Sequence, residues 1–301
     1  MLSQSQISSQ SSNVLGVFAT RAIKFSEAII QDTPIFAASN ISNSAPWTQK
    51  STKLKITNIC ENCYGRIPPL SRPTHSTCCS TVYCHLNCQE IALASYHKVL
   101  CGQKFDWLYQ EGAKKPGHLG LNGPMWLRIL AACIQSDCHP LDHPSIANLS
   151  PLYDDYSRLW SLSNNIVTPI KILRQLGIDV YSDMRYDTWV LQTVWARVIN
   201  NQQGDSDERE WHLRGINQFY SFFNHSCEPN TGWSTPASAT CVNGMTKVMF
   251  AQRDIRKGEE LCGTYLSEMR LRQSKTERSR MLCSWIGIDE TCGCSRCWRE
   301  G

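Results

Sequence analysis

Cysteine and histidine residues recur in short pairs between residues 60 and 101, and this pattern indicates metal binding. The chain has 16 cysteines, and its start, MLSQSQISSQSSN, lacks the basic and apolar regions of a secretory signal. A reducing compartment keeps cysteines free, so metal binding explains the pairs better than disulfides do. Thiolate and imidazole are the donors that zinc prefers in closed tetrahedral sites. We predict two zinc ions, held by eight residues: Cys60, Cys63, His75, Cys78, Cys84, Cys88, His97 and Cys101. Because Cys79 directly follows Cys78, the register of that pair stays open by one residue.

A second cysteine cluster lies close to the last residue of the chain. Cys292, Cys294 and Cys297 supply three ligands, which is one short of a closed zinc site. We predict Cys227 as the fourth ligand, and this assignment ties the tail to the segment around it. A zinc hydrolase or deaminase would need an open coordination position for an activated water. The predicted ligands fill three closed sites, so the sequence argues against that class of enzyme.

The segment 223–230, FNHSCEPN, sets polar residues directly after the apolar run of Phe219, Tyr220 and Phe222. Asparagine, histidine and serine offer hydrogen-bond donors and acceptors at close quarters, and Pro229 ends any regular element. A polar group of this kind beside a buried segment needs a chemical role. We therefore treat the segment as the centre of a candidate site.

Short strands and a helical middle third must position these residues. The 301 residues are 42% hydrophobic, so the chain can bury a sizeable core, and no apolar run reaches the length of a membrane span. The net charge of +4 is spread along the chain and indicates little or no nucleic-acid binding.

Apolar runs at 14–19, 28–30 and 34–36 predict a β-hairpin. Helical periodicity covers Trp126, Trp189 and Trp195, which we expect in the core. Strands are predicted at 247–250 and 260–262, and a charged helix at 267–283.

Two β-rich portions separated by a cysteine block and a helical block predict an α+β fold with insertions. We expect a β-rich core of short sheets that carries a zinc finger, a helical insert and a zinc site in the tail. The predicted parts are a disordered N-terminus at 1–12, the first part of the core at 13–58, the zinc finger at 59–101, the helical insert at 102–205, the second part of the core at 206–283 and the tail zinc segment at 284–301.

Three motifs in order resemble those of a SET domain. They are NHSCEPN at 224–230, GEELCGTY at 258–265 and CGCSRC at 292–297, the last resembling a post-SET zinc site. The order of the cysteine block resembles a MYND zinc finger, with His75 standing where that family usually has cysteine. From about residue 13 to 298 the chain resembles the SET and MYND domain (SMYD-type) protein-lysine methyltransferases. The resemblance implies interleaved zinc ligands, with one ion held by Cys60, Cys63, Cys84 and Cys88 and the other by His75, Cys78, His97 and Cys101.

The resemblance also implies a cofactor, S-adenosyl-L-methionine, and a role for each residue around it. Asn224 and His225 would hold the cofactor, and Tyr265 would contact it and act as the catalytic residue beside the transferring methyl group. Further cofactor contacts are implied for Leu15, Gly16, Val17, Asn201 and Ser221. Two departures from the family bear on activity: Val14 stands where a glycine is usual, and in the segment 285–291 Ile288 stands where an aromatic residue is usual, with Trp285 as an offset substitute.

Methyl transfer to lysine makes physical demands that a buried site can meet. The lysine ammonium, with a pKa of about 10.4, is not a nucleophile, so the site must favour the neutral amine. A narrow apolar channel lowers the lysine pKa by desolvation and fixes the approach of the amine to the sulfonium methyl. We expect a protein-lysine methyltransferase acting on histone or non-histone protein.

A second function class remains open at this point. The altered glycine loop favours a non-catalytic adaptor in transcription or chromatin, in which the SET fold is a platform. MYND fingers bind proline-containing peptides, so the resemblance implies a partner surface. In either case we expect a monomer, away from membranes, in the nucleus or the cytoplasm, with three zinc ions.

Overall fold

The computed structural model describes residues 16–42, 59–151, 161–206, 212–235, 244–286 and 292–300. These residues fall into two compact units, each assembled from separated stretches of chain. The first unit takes its residues from Met1–Asp32, Gln218–Ser234 and Lys247–Gly301. The second takes them from Thr33–Asn217 and Thr235–Thr246. Both units mix helices with short strands, in agreement with an α+β fold. The boundaries of the individual parts given above stay a prediction.

Short strands are spread along the described chain. They are β1 (Ala28–Asp32), β2 (Phe36–Ser39), β3 (Thr74–His75), β4 (Val82–Tyr83), β5 (Gln203–Ser206), β6 (His212–Ile216), β7 (Asn224–His225), β8 (Thr231–Ser234), β9 (Lys247–Ala251) and β10 (Cys262–Gly263). The α-helices are α1 (Leu86–Ser95), α2 (His97–Leu100), α3 (Asp106–Ala113), α4 (Asn122–Gln135), α5 (Pro144–Ala147), α6 (Thr168–Gln175), α7 (Thr188–Asn201), α8 (Glu268–Leu271), α9 (Lys275–Ile286) and α10 (Ser295–Arg299). Single 3₁₀ turns cover Gly117–Leu121, Met184–Tyr186 and Tyr220–Phe222, and Ser163–Val167 is a π-helix that runs into α6.

The first unit contains two small sheets. One is antiparallel in the order β1-β9-β8, and the other pairs β10 with β7 in parallel. The predicted hairpin is wrong, because Phe18 bridges Glu260 and β1 pairs with β9. Local turn signals cannot distinguish a neighbouring partner strand from one more than 200 residues away, and burial of apolar side chains selects the distant one.

One predicted helix of the first unit is two helices in the structure. The charged stretch 267–283 divides into α8 and α9. Ser274 explains the division, since its hydroxyl accepts from the Glu277 N–H at 3.3 Å while its own N–H donates to the Glu277 carboxylate at 3.1 Å. This reciprocal capping box starts a new helix after Ser274.

The second unit has its core on the helices of the middle third. Trp126 in α4 and Trp195 in α7 are 0% and 2% exposed, and their rings stack at 5.1 Å between centroids. These two tryptophans confirm the prediction of core positions. Trp189 does not, because it is 57% exposed on the first turn of α7. Beside the helices, β2, β6 and β5 form an antiparallel sheet in that order.

The cysteine block belongs to the second unit and is fastened to α4 through a buried arginine. The Arg128 guanidinium lies 3.7 Å from the centre of the Tyr96 ring and donates to the Glu61 carbonyl oxygen at 2.8 Å. It also pairs with the Glu61 carboxylate at 3.8 Å. Because a buried guanidinium is costly without such partners, this network fixes the loop between Cys60 and Cys63.

Candidate active site and metal centres

The amide of Asn224 is held in place by a carboxylate from a distant loop. Asn224 lies on β7, and its Nδ2 donates to Glu260 Oε1 at 2.7 Å. Gly16 packs directly against this pair: a Cβ atom at Gly16 would lie 2.6 Å from Glu260 Oε1 and 3.1 Å from Asn224 Nδ2. Glycine therefore leaves room for the Glu260 carboxylate, which a side chain at position 16 would displace. The family resemblance implies a cofactor contact at the same glycine, and the packing against Glu260 is a second role for it.

Two strands and one asparagine fix the backbone of the candidate site. In the parallel pair, Asn224 lies opposite Cys262 and His225 lies opposite Gly263. Asn230 braces this pair, because its Nδ2 donates to the Glu260 carbonyl at 2.7 Å and its Oδ1 accepts from the Cys262 N–H at 2.8 Å. A two-residue pair of strands is weak by itself, so the buried Asn230 amide supplies much of its definition.

His225 connects the strand pair to the residue predicted to be catalytic. Its Nδ1 accepts a hydrogen bond from the Tyr265 N–H at 3.0 Å, and its Nε2 lies 3.3 Å from Cys227 Sγ. Burial, with a contribution from the charge of Arg278, lowers the pKa of His225 to about 4. The imidazole is therefore neutral at pH 7, as its accepting Nδ1 requires.

Tyr265 places a protonated phenol beside this strand. Its hydroxyl donates to the Phe223 carbonyl oxygen at 3.2 Å, and its ring lies 5.3 Å from the His225 ring between centroids. Burial raises the pKa of Tyr265 to about 12. The hydroxyl keeps its proton at any physiological pH, and its lone pairs can accept a hydrogen bond from a ligand.

The structure brings some of the other predicted residues to the same place. Val17 is next to Gly16, and its carbonyl accepts from the Leu261 N–H at 2.7 Å. Ser221 lies in the 3₁₀ turn that precedes β7. Leu15, like Val14, lies outside the described residues. Asn201 ends α7 in the second unit, where its amide donates to the carbonyls of Ser150 and Arg197, at 2.7 Å in each case.

Four cysteines of the block form a first group with metal-binding geometry. The sulfur atoms of Cys60, Cys63, Cys84 and Cys88 lie within 4.8 Å of one another, and all four residues are buried. Four thiolates at about 2.3 Å from one zinc ion would be separated by about 3.8 Å. The distances from Cys84 Sγ to Cys63 Sγ and to Cys88 Sγ are 3.8 and 3.6 Å. The group therefore fits a tetrahedral zinc ion.

The second group of ligands in the block differs from the predicted one at one position. Its members are Cys78, Cys79, His97 and Cys101. His75 is outside this group, exposed on β3, where its carbonyl accepts from Gln89. Cys79 takes the place that the sequence argument gave to His75. The physical reason is the loop after β3, which turns both neighbouring cysteines toward the imidazole: Cys78 Sγ and Cys79 Sγ lie 3.2 and 3.5 Å from His97 Nε2.

A tyrosine orients the histidine of this second group. The Tyr83 hydroxyl lies 3.0 Å from His97 Nδ1, on the side of the ring opposite the cysteines. With Nδ1 engaged in this way, Nε2 is the nitrogen available to a metal. Hydrogen bonding to the outer nitrogen is the usual means by which proteins fix the tautomer of a metal-binding histidine. The arrangement supports His97 as a ligand.

The third group brings cysteines of the tail close to Cys227 in the segment 223–230. Cys227, Cys292, Cys294 and Cys297 have ligand atoms within 4.8 Å of one another, and Cys297 Sγ lies 3.5 Å from Cys227 Sγ. These donors also fit a zinc ion with four thiolate ligands. The group contacts a buried arginine, Arg278, whose Nε lies 3.2 Å from Cys227 Sγ.

Sequence reasoning missed four residues of these sites. Glu260 and Asn230 were visible inside the motifs but received no role, because side-chain partners across more than 30 residues cannot be read from spacing. Cys79 was visible as the alternative to its neighbour. Arg278 carries no signal, since an arginine in a charged helix is ordinarily exposed.

Comparison with known proteins relates the chain to one family. The model of the SET domain family matches residues 14–266. Two curated relatives are both named "Histone-lysine N-methyltransferase SET5". The one from Scheffersomyces stipitis is 36% identical over 77 residues, which are 26% of this chain and 14% of the relative. The one from Meyerozyma guilliermondii is 38% identical over 80 residues, which are 27% of this chain and 15% of the relative. Each match therefore covers a small part of the relative's length.

A solved structure also matches. It is described as the SET domain of LSMT bound to lysine and AdoHcy, and the match covers 96% of this chain and 53% of that chain at 12% identity, with a TM-score of 0.36. Among the described helices of this chain, none is long and apolar enough to cross a membrane.

Proposed function

Since the chain belongs to the SET domain family, we propose that it is an S-adenosyl-L-methionine-dependent protein-lysine N-methyltransferase. One observation carries the proposal: the half-buried Tyr265 phenol, bonded to the Phe223 carbonyl, stands beside the strand that bears Asn224 and His225. A structural platform has no need of a protonated phenol at this point. The curated relatives, named as histone-lysine methyltransferases, support the reaction type, and a lysine-bearing protein is the substrate class.

The proposed reaction assigns each residue a physical task. The bound cofactor would supply an electrophilic sulfonium methyl group. Tyr265 Oη, held by its donation to Phe223, would accept a hydrogen bond from the substrate amine and so orient its lone pair. The half-buried surroundings of Tyr265 would favour the neutral amine, because desolvation disfavours the ammonium. Fixed orientation of amine and methyl group would then lower the barrier.

Cofactor binding is assigned to the residues around β7. Asn224 and His225 would contact the cofactor through their backbone and side-chain atoms. Gly16 and Val17 would line the cofactor site. Ser221 belongs to the same proposal, as does Leu15, which lies outside the described residues. Asn201 is proposed as a cofactor contact on the family resemblance alone; its amide donates to the carbonyls of Ser150 and Arg197.

Binding of S-adenosyl-L-methionine, measured by titration calorimetry on the zinc-loaded protein, tests the enzyme against the adaptor. If the protein is an enzyme, we expect saturable binding of S-adenosyl-L-methionine. We also expect labelled lysines on a protein of a proteome extract that is incubated with radiolabelled cofactor. No heat of binding at millimolar cofactor would remove the enzyme proposal and leave the adaptor. Binding without any labelled protein, in a screen where a known methyltransferase labels its substrate, would also count against catalysis.

Replacing Gly16 by alanine should weaken cofactor binding while leaving the fold intact. The new methyl group would displace the Glu260 carboxylate, which is the end of a flexible side chain, and break its 2.7 Å bond to Asn224. Loss of such a bond costs about 1–2 kcal/mol, or about 5- to 30-fold in Kd. Calorimetry on Gly16→Ala, Glu260→Ala and the double variant measures this. If Gly16→Ala weakens cofactor binding by displacing Glu260, then adding Gly16→Ala to the Glu260→Ala protein should raise the Kd for the cofactor little further.

The three cysteine-rich groups are proposed to hold one zinc ion each. The first two would make the block at 59–101 a MYND-type finger, whose proposed partners are proline-containing peptides. The third would be a post-SET-type site. These assignments support the proposal that the chain is a SMYD-type methyltransferase, with the nucleus as its proposed location. Elemental analysis of the purified protein should find three zinc ions per chain, and a count of one or two would break the assignment of ligands.

A pair of neighbouring variants distinguishes the two candidate ligands of the second site. Cys79→Ala should lower the zinc content from three ions to two, because it removes a sulfur 3.5 Å from His97 Nε2. His75→Ala should keep all three ions, since His75 is exposed on β3 and outside the group. Elemental analysis of both proteins checks this prediction. The reverse result would restore His75 as the ligand.

A further inference from the structure

Arg278 is a buried cation placed against two of the tail cysteines. Its side chain, on α9, is 1% exposed. Nε donates to Cys227 Sγ at 3.2 Å and Nη2 donates to Cys297 Sγ at 3.4 Å. Nη1 donates to the Gln273 carbonyl at 2.6 Å, and Nη2 also pairs with the Glu300 carboxylate. One side chain thus connects the segment 223–230, α9 and the end of α10.

The charge of this guanidinium needs more than Glu300 to balance it. A buried cation is stable only when it is paired and hydrogen-bonded. The Glu300 side chain is 35% exposed and also pairs with Arg296, so it neutralises Arg278 only in part. The remaining contacts are to sulfur. A neutral thiol is a weak acceptor, whereas a thiolate accepts a charge-assisted hydrogen bond from a guanidinium.

The tail site has the complementary excess of charge. Four thiolates around one divalent zinc ion carry two net negative charges, and Cys227, Cys292 and Cys297 are buried. A guanidinium that donates to two of the sulfurs reduces this excess by one charge. It also fixes the orientation of both ligands, since its donors form a rigid planar fork. The arginine and the four cysteines therefore stabilise each other when the metal is bound.

We propose that Arg278 is a positioning residue of the tail metal centre, which retains the ion by offsetting thiolate charge and by fixing Cys227 and Cys297. This inference rests on the zinc assignment made above and is independent of methyl transfer. The first cysteine group has a different neighbour, the neutral amide of Asn62, whose Nδ2 lies 3.6 Å from Cys88 Sγ. The effect of Arg278 should accordingly be confined to one of the three ions.

Release of zinc to a chromophoric chelator tests the inference on the full chain. Arg278→Gln removes the charge, and we expect one of three ions to be bound about 10- to 100-fold more weakly, as is typical when an outer partner of a metal ligand is lost. The other two ions should be released as in the wild type. Arg278→Lys keeps the charge but lacks the planar fork of donors. Its affinity for that ion should lie between the affinities of the wild type and Arg278→Gln. Arg296→Gln is the matched control, because Arg296 on α10 is another arginine bonded to Glu300, and it donates to the Leu271 carbonyl; its three ions should be released as in the wild type.

The outcomes separate the inference from the proposals on which it depends. Three ions with unchanged release in Arg278→Gln would overturn the role of Arg278 and leave the zinc assignment standing. Fewer than three ions in the wild type would instead overturn the zinc assignment. If Arg278→Gln does not fold, the cobalt-loaded wild type and Arg278→Lys are compared by the energy of their sulfur-to-metal charge-transfer bands. Weaker N–H···S hydrogen bonding in Arg278→Lys should shift the charge-transfer bands of one cobalt ion in three. Identical spectra of the two proteins would overturn the inference.

Discussion

Replacing Tyr265 by phenylalanine is expected to lower the rate of lysine methylation by about 10²- to 10³-fold, the usual cost of removing one hydrogen-bonding group that acts on the reacting atoms. The phenyl ring keeps the packing against His225, so the Kd for S-adenosyl-L-methionine should change little. A loss confined to turnover identifies an interaction that is made mainly in the transition state. Single-turnover kinetics with radiolabelled cofactor and calorimetry provide the two measurements.

The pH dependence of the reaction separates the phenol from the substrate amine. Because burial raises the pKa of Tyr265 to about 12, the phenol stays protonated below about pH 11. Any rise of the rate between pH 7 and 10 should then come from the substrate lysine, and Tyr265→Phe should keep the shape of the profile. A rise that disappears in Tyr265→Phe would show that the phenol itself titrates there.

A second tyrosine of the same unit provides the control for this prediction. Tyr220 lies in the 3₁₀ turn before β7, and its ring contacts Trp233 at 6.5 Å between centroids. Tyr220→Phe removes another hydroxyl of the same unit and leaves the Tyr265 hydroxyl on the Phe223 carbonyl. It should leave turnover within a few-fold of the wild type. Equal loss of cofactor binding and turnover in Tyr265→Phe would contradict the proposed role.

Replacing Cys227 by serine should have the largest effect on metal content and structure. Cys227 Sγ lies 3.5 Å from Cys297 Sγ, 3.2 Å from Arg278 Nε and 3.3 Å from His225 Nε2. Loss of the sulfur should release the tail zinc, lowering the count from three to two. It should also loosen the turn that follows His225, because structural zinc contributes folding free energy directly. We expect the Tm of the first unit to fall by more than about 5 °C.

Cys227→Ser should also lower the affinity for S-adenosyl-L-methionine, since His225 lies two residues before the lost ligand. Elemental analysis, thermal unfolding and calorimetry measure the three effects. Cys283→Ser is the matched control: Cys283 lies on α9 outside the metal-binding groups, and its Sγ contacts the Arg280 carbonyl. It should keep three zinc ions and wild-type affinity. A Cys227→Ser protein that did the same would disprove the link between tail and site.

Much of the candidate site was readable from the sequence because its chemistry is carried by short, regular spacings. Pairs such as Cys60 with Cys63 can point at one ion by local geometry alone. Helical periodicity likewise placed Trp126 and Trp195 in the core. The predictions that failed did so for different reasons. The partner of β1 is β9, which is a long-range choice. Trp189 is exposed because the buried stripe of its helix runs through Val190, Val194 and Val198, which leaves position 189 on the opposite side.

The sequence by itself determined the residue types and their order: the SET domain family, the candidate metal-binding groups to within one residue, and the central place of the segment 223–230 in the candidate site. Those properties follow from side-chain chemistry and local spacing. Only the tertiary structure decided which side chains meet. In the structure Cys79, and not His75, belongs to the second cysteine-rich group. Glu260 packs against Gly16 and Asn224, and Arg278 is buried beside two cysteines. Each of these contacts joins side chains on different strands, turns or helices, and their positions are fixed by packing and charge balance, which spacing does not encode.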